Sequence, residues 1–141
     1  MSDLIIAKKI FAKNNMALVI VKHGELLFES DSSGITSFLG AIDVFGKELF
    51  DASIADRFVG RAAGLLAAYS HIKNVYAEVI SLEGLKVMEE VKTHVEFKSL
   101  VPMILNLEKN DVCPFERYSL GIKSIEESYD RLKHFSENFK K

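Results

Sequence analysis

The succession of apolar and polar positions along the chain predicts a regular series of helices and strands. Residues 3–14 carry apolar side chains on one broad face, the pattern of an amphipathic helix. Residues 17–21 form a continuous apolar run rich in β-branched side chains, which is typical of a buried strand. After a turn at residues 22–25 the apolar residues 26–28 return, so a tight antiparallel hairpin is predicted, with Gly24 at a positive φ.

The rest of the chain alternates helical spacing with short β-branched runs. Residues 101–107 contain Pro102 and are expected as an edge strand or as a covering segment. Because strand–helix–strand units cross over in one hand, this order predicts an α/β fold, a three-layer α/β/α sandwich around a mixed five-stranded sheet. The predicted strands cover residues 52–55, 75–80 and 94–98, and the predicted helices cover residues 35–45, 57–69, 82–91 and 124–139.

Composition limits the classes of protein that this chain can belong to. Its 141 residues, 48% of them hydrophobic, fit a single domain over residues 1–141. A net charge of −2, with basic and acidic residues interleaved, argues against nucleic-acid binding. No secretory signal is visible and the longest apolar run, residues 62–69, is too short for a membrane span. The lone Cys113 favours a cytoplasmic protein, and one Cys with four His predicts neither a metal cluster nor a cofactor.

Ligands of open α/β sheets bind beyond the carboxyl ends of the strands, beside helix N-termini. Asp56 and Arg57 are predicted to open the Ala-rich helix at such a place. One interpretation is that Asp56 is a helix N-cap and that Arg57 is exposed or ion-paired. The other is that Arg57, helped by Arg61 one turn later, holds an anionic group at the helix start.

Cys113 and Glu116 form a second candidate site. Cys113 precedes Pro114 at a predicted helix start, where the helix dipole would lower the pKa of the thiol. It is either a nucleophile or redox group, although no His lies near it in the sequence, or a small buried side chain at a helix entry. Together with His94 and Glu96, the pair is superficially similar to the zinc deaminase signature. We predict no zinc site here, because His94 and Glu96 fall on a strand and Glu116 stands where a second Cys is required.

Five segments taken together carry a resemblance to a known family. They are residues 18–24, 33–35, 55–63, 75–77 and 111–116, of which Ala-Asp-Arg at 55–57 and Cys-Pro-Phe-Glu at 113–116 are the most specific. From residue 17 onwards the chain resembles the DUF1893 family of small uncharacterised proteins.

The resemblance implies a cytidine-deaminase-like fold. In active deaminases two metal-binding motifs open the helices that follow the hairpin and the next strand. The resemblance places these motifs at Ser32–Gly34 and Ala55–Arg57, where no zinc ligand is found. It therefore implies a zinc-free domain, in which water cannot be activated by the usual route.

Three hypotheses follow from the sequence. The first is a zinc-free deaminase-like domain that binds a small anionic molecule, such as a nucleotide, in a pocket built from Ser33, Gly34, Asp56, Arg57, Cys113 and Glu116. The second is an enzyme that uses Cys113 as nucleophile or Asp56 as general base, with Glu116 as a further catalytic candidate. The third is a structural or interaction protein, a homo-oligomer that self-associates through its sheet edge or an exposed helix.

Overall fold

The computed structural model of the chain describes residues 2–32 and 34–139. A short 3₁₀ helix, Gly46–Leu49, follows the second α-helix. The strands are β1 (Leu18–Lys22), β2 (Glu25–Ser30), β3 (Ser53–Val59), β4 (Asn74–Ser81) and β5 (His94–Val101). The α-helices are α1 (Asp3–Lys13), α2 (Ile35–Phe45), α3 (Arg61–Tyr69), α4 (Leu82–Glu90), α5 (Pro114–Ser119) and α6 (Ile125–Phe139).

The strands form one mixed five-stranded sheet, as predicted, in the order β2-β1-β3-β4-β5. β1 runs antiparallel to both β2 and β3, whereas β3, β4 and β5 are parallel to one another. The hairpin between β1 and β2 turns at His23 and Gly24, whose φ angles are 54° and 76°. Two consecutive left-handed residues match the twist of an antiparallel hairpin, so the predicted role of Gly24 is confirmed.

Helices cover the two faces of the sheet unequally. Among the described helices, α1 alone packs on one face, where Ala7 and Phe11 contact Val19, Val21 and Ala55. The other face is covered by α2, α3 and α4, and α6 packs against α2 and α3. This arrangement is the predicted three-layer sandwich. In the part of the chain that the structure describes, no helix is long and apolar enough to cross a membrane.

The third strand corrects one prediction from the sequence. β3 continues past residue 55 to Val59, so Asp56 and Arg57 lie within a strand and do not open a helix. The backbone of Asp56 pairs with Leu18 on one side and with Ala77 on the other. This pairing on both sides satisfies the backbone polar groups that a helix start would leave without partners, and it overrides the N-cap preference of Asp.

Candidate functional site

A cavity of about 570 Å³ opens at the carboxyl end of β3. Its walls come from residues 34–36, Asp56, Phe58, residues 104–109 and residues 113–116. Most of the side chains that line it are apolar, which is usual for a small-molecule site. Ligands of open α/β sheets bind at this position relative to the strands. We call this cavity the Asp56 pocket.

Asp56 is the most strongly perturbed titratable group of the pocket. Successive strand residues face opposite sides of the sheet, and Asp56 and Phe58 both line the pocket. Burial raises the pKa of Asp56 to about 7, although the backbone N–H groups of Phe58 and Arg57 and the charge of Arg57 lower it in part. Near neutral pH this carboxyl group therefore exists in both forms and can either donate or accept a hydrogen bond.

Glu116 closes the inner wall of the pocket. Its side chain is buried, and both carboxyl oxygens accept backbone hydrogen bonds. The N–H of Arg61 donates to Oε1 at 2.6 Å and the N–H of Ile104 donates to Oε2 at 3.0 Å. A Cβ on Gly60 would lie 2.6 Å from Oε1, so only glycine leaves room for the carboxyl group. Glu116 thus joins the first turn of α3 to the segment that covers the pocket.

Cys113 lies at the pocket wall next to Pro114, which is the first residue of α5 as predicted. The thiol is partly exposed and forms no disulfide. The N–H of Cys113 donates to the carbonyl oxygen of Ile104 at 2.9 Å, and this bond anchors the loop. The structure therefore brings Cys113 and Asp56 to one pocket. No His stands among the described residues that line it.

Arg57 does not reach the Asp56 pocket. Its side chain lies on the α1 face of the sheet, in a separate cavity of about 340 Å³ that Lys8 and Lys98 also line. The guanidinium group donates to the carbonyl oxygen of Met16 at 2.9 Å and to Oδ1 of Asn15 at 3.3 Å. The expectation that Arg57 and Asp56 share one site was wrong, because neighbouring strand residues face opposite sides.

Arg61 is also outside the walls of the Asp56 pocket, although it belongs to the first turn of α3. Its Nε donates to the carbonyl oxygen of Ser119 at 3.0 Å and its Nη2 donates to that of Ile122 at 2.8 Å. The guanidinium group also lies 3.9 Å from the carboxylate of Glu83. These bonds hold the end of α5 against α3, so the side chain is engaged within the protein.

Gly34 and Ser33 are the two remaining candidates from the sequence. Ser33 lies outside the described residues. Gly34 lines the pocket and precedes α2 with a φ of 113°, a conformation that favours glycine. No side chain caps this helix start in the described part of the chain.

Residues 104–109 form a wall of the pocket that was not predicted from the sequence. Apolar side chains stand in this irregular segment, and Leu107 is 91% exposed. The available signal was Leu105 and Leu107, which alternate with the polar residues Asn106 and Glu108. The alternative of a covering segment was the correct one, because only Val101 of residues 101–107 belongs to β5.

A family model described as a domain of unknown function, DUF1893 (TM1506), matches residues 6–136. The chain belongs to the DUF1893 family. It is 27% identical to the DUF1893 family protein TM1506 from Thermotoga maritima, whose crystal structure matches with a TM-score of 0.86. The match covers 95% of this chain and 90% of that chain. The resemblance seen in the sequence is thus confirmed.

A more distant match to a solved structure concerns only the fold of this DUF1893 protein. RibD from Acinetobacter baumannii matches with a TM-score of 0.52 at 15% identity, over 68% of this chain and 35% of that chain. This likeness is one of fold, and it agrees with the deaminase-like fold that the resemblance in the sequence implied. No curated protein matches the chain.

The residues of this DUF1893 protein do not fit a zinc ion. Because α3 begins at Arg61, the second metal-binding motif must be compared with residues 60–63, Gly-Arg-Ala-Ala, and not with residues 55–57. None of these side chains is a zinc ligand. The N–H of Arg61 is instead bonded to the carboxyl group of Glu116. Nowhere in the described ranges do three His, Cys, Asp or Glu side chains cluster as metal ligands.

Proposed function

We propose that the Asp56 pocket binds a small molecule with a flat, largely apolar ring and a hydrogen-bonding edge directed at Asp56. A nucleobase, carried by a nucleoside or nucleotide, has this chemistry. The volume of about 570 Å³ and the apolar walls support a ligand of this size and kind. The protein would act in the cytoplasm, for which the single free Cys113 is the support.

The observation that carries the proposal is the carboxyl group of Asp56 inside a mainly apolar cavity. A polar group in such a place fixes the orientation of a ligand. A ligand that offers it no hydrogen bond would remove water from the carboxyl group without replacing the lost hydrogen bond, which costs binding free energy. Because its pKa is about 7, the carboxyl group can accept a hydrogen bond from a ring N–H when it is ionised, or donate one to a ring nitrogen or carbonyl oxygen when it is protonated. Strongly perturbed acids concentrate at functional sites.

The position of charged groups changes the first hypothesis from the sequence. Arg57 and Arg61 do not line the pocket, whereas Asp56, Glu108 and Glu116 do. Lys109 is the basic side chain among the described lining residues. The phosphate of a nucleotide would therefore lie towards Lys109, and the ring would lie towards Asp56.

Calorimetry and thermal denaturation with nucleosides and their monophosphates test this proposal. We expect at least one ligand to raise the melting temperature, and Asp56→Asn to weaken its binding by about tenfold or more. Lys109→Ala should weaken a monophosphate and leave the matching nucleoside unchanged. Asp130→Asn, which alters an exposed carboxylate on α6, is the matched control. Binding that is equally strong in Asp56→Asn, or no binding across the panel, would refute the proposal.

An enzymatic function is the second candidate, and it is favoured by the pKa of Asp56. A carboxyl group with a pKa of about 7 suits a general acid or base near neutral pH, and Cys113 lies at the same pocket. Turnover of a bound ligand, followed by mass spectrometry, should disappear in Asp56→Asn. The role of Cys113 is tested by measuring the rate at which a thiol reagent labels it as a function of pH. A labelling rate that rises with a midpoint near pH 8.5, as for an ordinary thiol, would contradict an activated thiol.

A further inference from the structure

β5 leaves one edge of the sheet without a strand partner. It is the last strand in the sheet order and pairs with β4 along its whole length, while no strand of the described chain lies on its other side. Phe97 is 41% exposed and Leu100 is 45% exposed. An eight-residue edge with exposed apolar side chains can be extended by another strand, unless charges prevent it.

The charges of this edge alternate along one face. Nζ of Lys8 lies 2.9 Å from Oε1 of Glu96, and Nε2 of His94 lies 3.0 Å from Oε2, so His94 and Glu96 share the face that α1 covers. Lys98, two residues further, lines the cavity on that face with Lys8. The contacts with Lys8 and His94 lower the pKa of Glu96, which therefore carries its negative charge at neutral pH.

A second copy of β5 can pair with this edge in only a few registers. In antiparallel pairing, residues directly opposite each other lie on the same face of the sheet. When a two-fold axis relates the two strands, it therefore passes between one residue and the same residue of the other copy. An axis at Glu96 or at Lys98 sets like charges opposite each other, which disfavours pairing. An axis at Phe97 sets Glu96 of each copy opposite Lys98 of the other.

We infer that the protein forms a two-fold dimer in which β5 pairs antiparallel with β5 of a second copy, in the register centred on Phe97. Residues 94–100 of the two chains then lie opposite each other. Two pairs of opposite charge form on one face, and on the other face the exposed ring of Phe97 meets its symmetry mate. The two sheets become one continuous sheet across the axis.

The edge at β2 lacks this complementarity. β2 is six residues long, and its charged side chains, Glu25 and Glu29, are both acidic. No register of β2 with itself can pair opposite charges. The β1–β2 ladder also contains an irregularity between Ile20 and Val21, which distorts that edge of the sheet. The choice between the two edges therefore rests on the charge pattern.

The mass of the protein in solution is the first test. Light scattering after gel filtration should give twice 15.8 kDa at concentrations of tens of micromolar. Lys98→Glu sets two acidic residues opposite each other and should give the monomer mass. Glu96→Lys sets two basic residues opposite each other and should do the same. Lys123→Glu, an exposed lysine in the loop before α6, is the control and should leave the dimer intact.

A mixture of the two monomeric variants tests the register itself. When Lys98→Glu and Glu96→Lys are combined in equal amounts, every opposite pair again joins an acid with a base. The mixture should therefore recover the dimer mass, and circular dichroism should show that each variant is folded on its own. A wild-type monomer, a dimer that both reversals leave unchanged, or a mixture of folded variants that stays monomeric would each overturn the inference.

Discussion

Two carboxyl groups line the same pocket, and their surroundings differ. Glu116 accepts N–H groups from Arg61 and Ile104 with its two oxygens, so it acts as part of the scaffold. Asp56 lies between two neighbouring strands and faces a mainly apolar cavity, where burial raises its pKa to about 7. The difference between the two groups therefore lies in the desolvation of Asp56, which its backbone hydrogen bonds and the charge of Arg57 offset only in part.

The raised pKa of Asp56 makes stability depend on pH. The folded protein keeps a proton that the unfolded chain releases above about pH 4, so the free energy of unfolding should fall as the pH rises from about 4 to about 7. Asp56→Asn does not titrate and should escape this loss. Its free energy of unfolding relative to wild type should therefore increase by on the order of 3 kcal/mol between about pH 4.5 and about pH 8.

Urea denaturation at the two pH values measures this difference, and Asp130→Asn is the control. A constant difference between Asp56→Asn and wild type at both pH values would contradict the raised pKa.

At the scale of elements, the sequence predicts what is local and misses what depends on distant contacts. The ends of α1 and α6 lie within one residue of the predicted ends, and the hairpin turns at the predicted Gly24. These features are predictable because helix caps and turn residues are local signals. The extension of β3 to Val59 depends on its pairing with β1 and β4. The hydrogen bond from the N–H of Arg61 to Glu116 joins residues 55 positions apart, and no motif or spacing in the sequence predicts it.

Gly60 is where three elements meet, and its replacement tests that contact. In Gly60→Ala the new methyl group would lie 2.6 Å from Oε1 of Glu116, which is buried and held by two hydrogen bonds. We expect a loss of about 1–3 kcal/mol in the free energy of unfolding. Gly40→Ala, in the middle of α2 with open space around it, should instead gain roughly 0.5–1 kcal/mol. Equal effects of the two substitutions in chemical denaturation would show that Glu116 moves aside freely.

At the scale of the whole molecule, the layers are unequal. Of the described α-helices, five lie on the side of the sheet opposite α1, and α6 packs on α2 and α3. Its contact with the core is made partly by Leu132, which is fully buried, and by the stacked rings of Tyr69 and Tyr129. The sequence pattern predicted a helix here. Its position over α3 and away from the sheet is a property of the assembled fold.

Leu132→Ala measures how much the core depends on α6. Removing a fully buried leucine side chain should cost about 2–5 kcal/mol of unfolding free energy, because a cavity is left between α6 and α3. Val44→Ala, at a position 72% exposed on α2, should change stability by less than about 0.5 kcal/mol. A small effect at Leu132 in denaturant titrations would show that α6 is only loosely attached.

The acidity of Asp56 has a consequence for any ligand that enters the pocket. Near pH 7 this carboxyl group is present in both its protonated and its ionised form. A ligand that donates a hydrogen bond to Asp56 selects the ionised form and releases a proton to the buffer. A ligand that accepts one selects the protonated form and takes a proton up. The heat of binding will therefore depend on the ionisation enthalpy of the buffer, and the sign of that dependence reveals which edge of the ligand faces Asp56.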